Sequence, residues 1–385
     1  MNKSVKFGTD GIRGHADYFP FENKALISLG LAIAKWGIEK YKKTPTVLIG
    51  HDTRISCEKI KHQLEKGLLH FGLSILDVKV LPTPAICKLA NHYNNKIDCG
   101  IIISASHNPY YDNGIKLVDA KTGKLKSEDE EKIENYFKEY FENIDKLKTQ
   151  NIGNIKIWDE SQEEYKKIIT SMFDTNFLTN KKIILDCANG STYKIAPEIF
   201  DALGAKVIAI NNEPTGKNIN KNCGTLHTQI LEKEIIKNNA DIGFAFDGDG
   251  DRVIAVNKFG QTIDGDQIIA ILTKHPQAKD HKTIVGTIMT NLGLDIYLKE
   301  KKINLIRTNV GDKYVAAELI KNNLFLGGEN SGHIIMMDYL STGDGIFTAL
   351  RVAEMAILEN DWTLKSFNKT PQVLINVPIK QKKKT

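Results

Sequence analysis

The densest chemistry in the chain lies at Asp247-Gly-Asp249-Gly-Asp251-Arg252, where three carboxylates occupy alternate positions between glycines. That alternation lets a tight loop aim its oxygens at one point, which is what a hard divalent cation requires. The competing reading, an acidic turn capping a strand, leaves three unpaired carboxylates repelling one another. A calcium EF-hand also begins D-x-D-x-D. It needs Gly at its sixth position and Glu at its twelfth, and here those are Arg252 and Lys258. Arg252 would spoil a pure cation cage but suits a site that also holds a phosphate.

The second candidate is Ser104-Ala-Ser106-His107-Asn108-Pro109, followed by Tyr111-Asp112-Asn113-Gly114-Ile115-Lys116. A serine on a strand-end loop can be a nucleophile or a phosphate carrier; it can equally be an N-cap with Pro109 in the first helical turn. No G-x-S-x-G elbow surrounds it, which excludes a hydrolase-type triad. Beside a metal loop a phosphoserine gains sense, because the cation neutralises its charge. Lys116 is an acid/base candidate if its neighbours depress its pKa. Gly327-Gly328-Glu329-Asn330-Ser331-Gly332-His333 offers donors and acceptors to sugar hydroxyls, or is a hairpin turn. Gly-flanked Arg13, in Phe7–Gly14, could reach a phosphate, and no Walker lysine follows it.

The elements that would position these loops are apolar runs of strand length. Val47–Ile49, Ile101–Ile103, Ile183–Leu185, Ile242–Phe246 and Ile284–Gly286 each run into a polar Gly/Asp/Asn loop, with helical periodicity expected beyond it. Unbroken Val/Ile/Leu runs suit strands covered on both faces, and alternation with helices indicates α/β sheets with a parallel core. Ligands in such sheets sit beyond the carboxyl ends of strands. Units recur about once per hundred residues. The fold class expected is α/β: three consecutive mixed-sheet α/β domains around a central cleft, plus the start of a truncated fourth α+β domain. The expected limits are 1–150, 151–252, 253–365 and 366–385. Residues 126–150 read as a charged amphipathic helix closing the first domain, and 372–377 as a lone strand.

Composition narrows the partners. The 385 residues are 41% apolar and 26% charged, with a net charge of +5. These are values of an ordinary globular protein, and they exclude a disulfide scaffold or wholesale disorder. No clustered basic face argues for nucleic acid, and no apolar stretch for a membrane span or signal peptide, so a cytoplasmic location is expected. Five widely spaced cysteines (Cys57, Cys87, Cys99, Cys187, Cys223) contain no C-x-x-C and read as reduced thiols. Of the 52 basic residues 47 are lysine, which singles out Arg13, Arg54, Arg252, Arg307 and Arg351 as candidates for bidentate phosphate forks.

Taken together, FGTDGIRG (7–14), SASHNPYYDNGIK (104–116), DCANGSTYKIAPEIF (186–200), EPTGKNINKNCG (213–224), DGDGDR (247–252), TNVGDKYV (308–315) and GGENSGH (327–333) resemble the alpha-D-phosphohexomutase superfamily. The 186–200 and 213–224 stretches are similar to its bacterial glucosamine branch rather than the mannose or glucose members. The resemblance implies an intramolecular phosphotransferase that moves phosphate between O6 and O1 of glucosamine, supplying UDP-N-acetylglucosamine and cell-wall synthesis. It implies Ser106 as phosphoserine, with one Mg²⁺ per chain on Ser106, Asp247, Asp249 and Asp251. Arg252 and Lys116 would flank the transferring phosphoryl, with Lys116 as acid/base and Arg13 in support. Glu329, Ser331 and His333 would bind the sugar. Glucosamine or glucose 1,6-bisphosphate would be intermediate or activator, the substrate a small phosphosugar, and the assembly a possible homodimer. Relatives carry a fourth domain with an R-x-S-G-T-E-P-type phosphate grip, and no such segment occurs in this sequence. Remote phosphate binding supplies orientation, so weak or absent mutase turnover is expected of this chain as it stands. A non-catalytic remnant, a metal-dependent phosphatase and another phosphohexomutase are the competing functions.

Overall fold

The structure is a computed structural model that describes residues 4–147, 152–278 and 280–373. Sixteen strands and eleven α-helices occur among the described residues. The first sheet contains β1 (Ile12–His15), β2 (Thr46–His51), β3 (Ser74–Val80), β4 (Cys99–Ile103), β5 (Asp112–Asp119), β6 (Gly123–Lys124) and β7 (Asn154–Ile157), in the order β1-β5-β4-β2-β3-β7 with β6 on β5. The second contains β8 (Lys182–Asp186), β9 (Lys206–Ile210), β10 (Ile242–Phe246), β11 (Val253–Asn257) and β12 (Thr262–Ile263), in the order β12-β11-β10-β8-β9. The third contains β13 (Thr283–Thr287), β14 (Asn304–Thr308), β15 (Leu326–Gly328) and β16 (Ile334–Met336), in the order β14-β13-β15-β16.

Each sheet has a parallel core with at least one antiparallel strand, so the architecture is three mixed α/β sheets in succession. The runs Cys99–Ile103 and Ile242–Phe246 are buried along their whole length, as strands covered on both faces must be. One apolar cluster includes Ile102 of the first sheet, Phe244 of the second and Phe347 of the helix Gly345–Leu358 that follows the third.

Sheet membership departs from the expected limits at two places. β7 lies beyond residue 150 yet pairs in parallel with β3. β11 and β12 lie beyond Arg252 yet extend the second sheet, because β11 closes an antiparallel hairpin on β10. A cut after Arg252 would strip the hydrogen bonds from one edge of a buried strand, which is costly. The charged helix is observed at Ser127–Asn143. The expected strand at 372–377 lies, from residue 374 onward, outside the described residues, as does most of the expected 366–385 unit.

Candidate active site

Three loops, each joining the two strands of a β-hairpin, carry most of the candidate residues, while Arg13 lies on β1 and Lys116 on β5. The serine loop links β4 to β5, the aspartate loop links β10 to β11, and Glu329–His333 links β15 to β16. Helical periodicity was expected after the first two, and the structure places antiparallel strands there instead. The N-cap reading of the serine therefore falls: no helix begins between Ile103 and Asp112. All three loops lie at the carboxyl ends of β4, β10 and β15, which run parallel to their neighbours β2, β8 and β13.

Ser106 and the aspartate triad meet. Ser106 Oγ donates to Asp247 Oδ2 at 2.7 Å, across 141 residues of sequence. Ligand-capable oxygens of Asp247, Asp249 and Asp251 lie within 4.8 Å of one another, and all three residues are buried. The carboxylates are not equally free. Asp247 Oδ1 accepts from Arg252 N at 3.2 Å. Asp249 Oδ2 accepts from Thr83 Oγ1 at 2.6 Å and from Lys116 Nζ at 2.9 Å. Asp249 Oδ1 and Asp251 Oδ1 are buried and make no hydrogen bond among the described residues, although Arg252 Nε lies 3.8 Å from Asp251 Oδ1. A buried carboxylate oxygen without a donor is costly, and two of them beside a third acid and a hydroxyl fit a hard cation.

Burial, and then the Asp251 and Asp249 charges, push the Asp247 carboxyl well above its usual range. Burial works against charge on Asp251 too, but Lys116 and His333 hold it well below. Burial also opposes the charge on Lys116, yet Asp249 and Asp251 raise its pKa. An acid/base role for Lys116 was tied to a depressed pKa, and these neighbours produce the opposite. Arg252 is likewise raised: burial opposes its charge, while Asp251 and Asp247 favour it. Its Nε makes no hydrogen bond, lying 3.8 Å from Asp251 Oδ1, and Nε of Arg13 makes none either, so both guanidinium groups keep a donor available. Arg13 otherwise donates to Ala105 O at 3.3 Å and to Asp10 Oδ2 at 2.9 Å, which anchors it beside the serine loop. His107, 3.3 Å from Ser106 Oγ, is pushed down to about 4 by burial and by Arg252 and Arg13.

The third loop divides. Glu329 Oε1 accepts from Gly311 N at 2.9 Å, in the TNVGD stretch, and Ser331 is partly exposed. His333 was expected to touch the sugar, but it is only 2% exposed. Its Nε2 accepts from Gly343 N at 2.9 Å, and its Nδ1 lies 3.7 Å from Asp251 Oδ2. Burial behind Asp251 makes it a support for that carboxylate. Asp312 joins the same cluster, with Lys124 bonded to it and His333 Nε2 at 3.7 Å. Thr83, Asp312 and His107 were not singled out from the sequence. Thr83 sits in an unremarkable LPTPA stretch, and only its neighbourhood in space reveals it.

Family profiles match nearly the whole chain: Phosphoglucomutase/phosphomannomutase alpha/beta/alpha domain I over residues 4–143, domain II over 163–260 and domain III over 264–374. The phosphoglucosamine mutase of Campylobacter concisus is 44% identical, and that of Caldicellulosiruptor saccharolyticus 41%. Each alignment covers 98% of this chain and 85% of the relative. Among solved structures, a phosphoglucomutase/phosphomannomutase family protein from Burkholderia thailandensis superposes with a TM-score of 0.78 at 24% identity, covering 94% of this chain and 77% of that one. The Aspergillus fumigatus N-acetylphosphoglucosamine mutase, in complex with GlcNAc-6P and magnesium, gives 0.65 at 15% identity, over 96% of this chain and 81% of that one. Identity above two fifths along almost every residue, together with these shared domains, makes the chain a member of the phosphoglucosamine mutase family, within the phosphohexomutases.

Proposed function

We propose that this chain carries the site chemistry for interconverting glucosamine 6-phosphate and glucosamine 1-phosphate, through a phosphorylated Ser106. The observation that carries the reading is the 2.7 Å contact between Ser106 Oγ and Asp247, at the edge of a buried triple-carboxylate cluster built by a different sheet. Asp247, Asp249, Asp251 and the Ser106 phosphate would hold one Mg²⁺, which would neutralise phosphoryl charge as it develops.

The remaining work falls to the chain's own side chains. Arg252 and Arg13, each with an Nε that makes no hydrogen bond, offer donors to equatorial phosphoryl oxygens. Lys116, held as the ammonium by Asp249 and Asp251, is suited to supply positive charge and hydrogen-bond donors to the transferring phosphoryl rather than to exchange a proton. Glu329, oriented by Gly311 N, and the neighbouring Ser331 would hold sugar hydroxyls. In the forward half-reaction the P–O bond at Ser106 breaks as a bond to the sugar oxygen forms, and the proton lost by that hydroxyl ends on Ser106 Oγ, the leaving oxygen. The bisphosphate then returns its other phosphoryl to Ser106 Oγ. Burial of Ser106, which is 1% exposed, limits competing attack by water.

The test is uptake of one phosphate from glucose 1,6-bisphosphate with Mg²⁺, followed by intact mass spectrometry. The adduct is expected on the parent and absent from Ser106→Ala. An adduct that survives the substitution would place the phosphoryl carrier elsewhere. Rapid loss of the adduct in buffer would favour a phosphatase.

A further inference from the structure

We propose that Arg54 and Asn220 form a two-domain clamp on the serine loop that fixes the direction of Ser106 Oγ for phosphoryl transfer. On this view the 213–224 segment that carries Asn220 serves this positioning task and does not read the sugar. The inference rests on the phosphoserine reading above.

Ser106 has a φ of +52°, in the left-handed region that side chains rarely adopt. Such a backbone persists only where its surroundings over-determine it. Arg54 supplies one half of that constraint. Its side chain is 0% exposed, so it is no phosphate fork, contrary to what its rarity in this lysine-rich chain suggested. Its Nε donates to Asp52 Oδ2 at 2.9 Å. Nη1 donates to Pro109 O and, at 3.1 Å, to Asp112 O. Nη2 donates to Ser106 O and Asn108 O, both at 2.9 Å. A lysine could not repeat this, because its donors radiate from a single nitrogen. Asp52 extends the grip: it accepts from Ser104 Oγ at 2.6 Å, and that same oxygen receives Ser106 N at 2.9 Å.

Asn220 supplies the other half from the second domain. Its Nδ2 donates to the same two carbonyls, Ser106 O at 2.9 Å and Asn108 O at 3.2 Å. Each carbonyl therefore receives one donor from each domain, which occupies both its lone pairs. Asn220 itself has a φ of +58° and is anchored by its N–H on Ala188 O at 2.9 Å. The two domains are stitched beside it, with Thr53 Oγ1 donating to Asn189 O at 2.5 Å and Ile55 N to Gly216 O at 2.9 Å. Among the described residues, no hydrogen bond joins 213–224 to the Glu329–His333 loop. A segment that distinguishes the glucosamine branch in sequence is thus spent on the nucleophile.

The decisive variant is Asn220→Gly. Glycine adopts a positive φ without strain, so the backbone is kept while the donor is lost. Arg54→Lys is the stronger perturbation but risks misfolding, because Arg54 is wholly buried. Phosphate uptake by Ser106 is followed by intact mass against donor concentration, with glucose 1,6-bisphosphate and with glucosamine 1,6-bisphosphate. For Asn220→Gly the maximal uptake rate is expected to fall about tenfold, equally for both donors. Half-saturation is expected to stay at the parent's value and the melting temperature to fall only slightly, because Arg54 still donates to both carbonyls. Parental uptake rates in this variant would overturn the clamp while leaving the phosphoserine reading intact, and so would a loss that differs between the two sugars. A parent chain that takes up no phosphate from either donor would overturn both.

Discussion

At the scale of single residues, the site depends on which carboxylate oxygens are satisfied and which are not. Thr83 and Lys116 occupy one oxygen of Asp249 and leave the other bare, so the neutral and cationic donors of the first domain orient an acid of the second. A second buried acid, Asp266, is likewise satisfied at one oxygen only. Asn291 N donates to its Oδ2 at 2.8 Å while its Oδ1 has no partner, and burial raises its pKa to about 6. Because the folded state binds this proton more tightly than the unfolded chain does, stability from this group is full below about pH 4. It is lost as pH rises through 6, by on the order of 3 kcal/mol. Asp266→Asn keeps an acceptor for Asn291 and should flatten that slope in urea titrations run between pH 4 and 7. A slope unchanged from the parent's would show that Asp266 does not set it. The aspartate triad was legible in the sequence because its spacing is local. Arg54, Asn220 and His333 were not legible in their actual roles, since each acts on atoms 52 to 114 residues away or on a loop it only meets in space.

At the scale of elements, the site is assembled from three hairpin turns. The apolar runs at β4, β8 and β10 announced themselves by their Ile, Leu and Phe content. What followed the serine and aspartate loops did not, because a short polar loop looks alike before a helix and before a returning strand. Val253–Asn257 carries apolar residues at four of five positions and is buried throughout, so periodicity alone could not assign it. The aspartate hairpin lies so close to the serine loop that a Cβ on Gly248 would sit 2.6 Å from Ser106 O and 2.7 Å from Asn220 Nδ2. Gly248→Ala must push one loop off the other. Overpacking of this kind costs roughly 1–3 kcal/mol, readable as a lower urea midpoint. Phosphate uptake at Ser106 should fall far more than stability does. A variant that retains parental uptake would mean the two hairpins tolerate separation.

At the scale of the whole molecule, the domains are joined by buried polar contacts as well as by apolar packing. Tyr165, from the helix Ser161–Thr170, donates to Asp344 Oδ2 at 2.8 Å, and Tyr339 donates to the same oxygen at 2.8 Å. Asp344 also caps the helix Gly345–Leu358 through Phe347 N. Tyr165→Phe removes one donor from a fully buried acid and should cost about 1–3 kcal/mol, measured as a drop in the denaturant midpoint. An unchanged midpoint would show that Asp344 needs only Tyr339. Between the first and third domains, Lys124 pairs with Asp312 and Glu130 with Lys313, a crossed arrangement that no local pattern in the sequence displays. The three-sheet architecture was readable from recurring strand–loop units. The strands that cross the expected limits were not, because membership of a sheet is decided by which edge lacks a partner.

The nucleophile and the three carboxylates beside it never share a sheet. Each domain on its own can therefore be perfectly well formed and still inert. Damage to a distant core that tilts one body by an ångström would silence chemistry while leaving the circular dichroism spectrum nearly untouched. For this chain, then, phosphate uptake is a more sensitive gauge of native assembly than any measure of secondary structure.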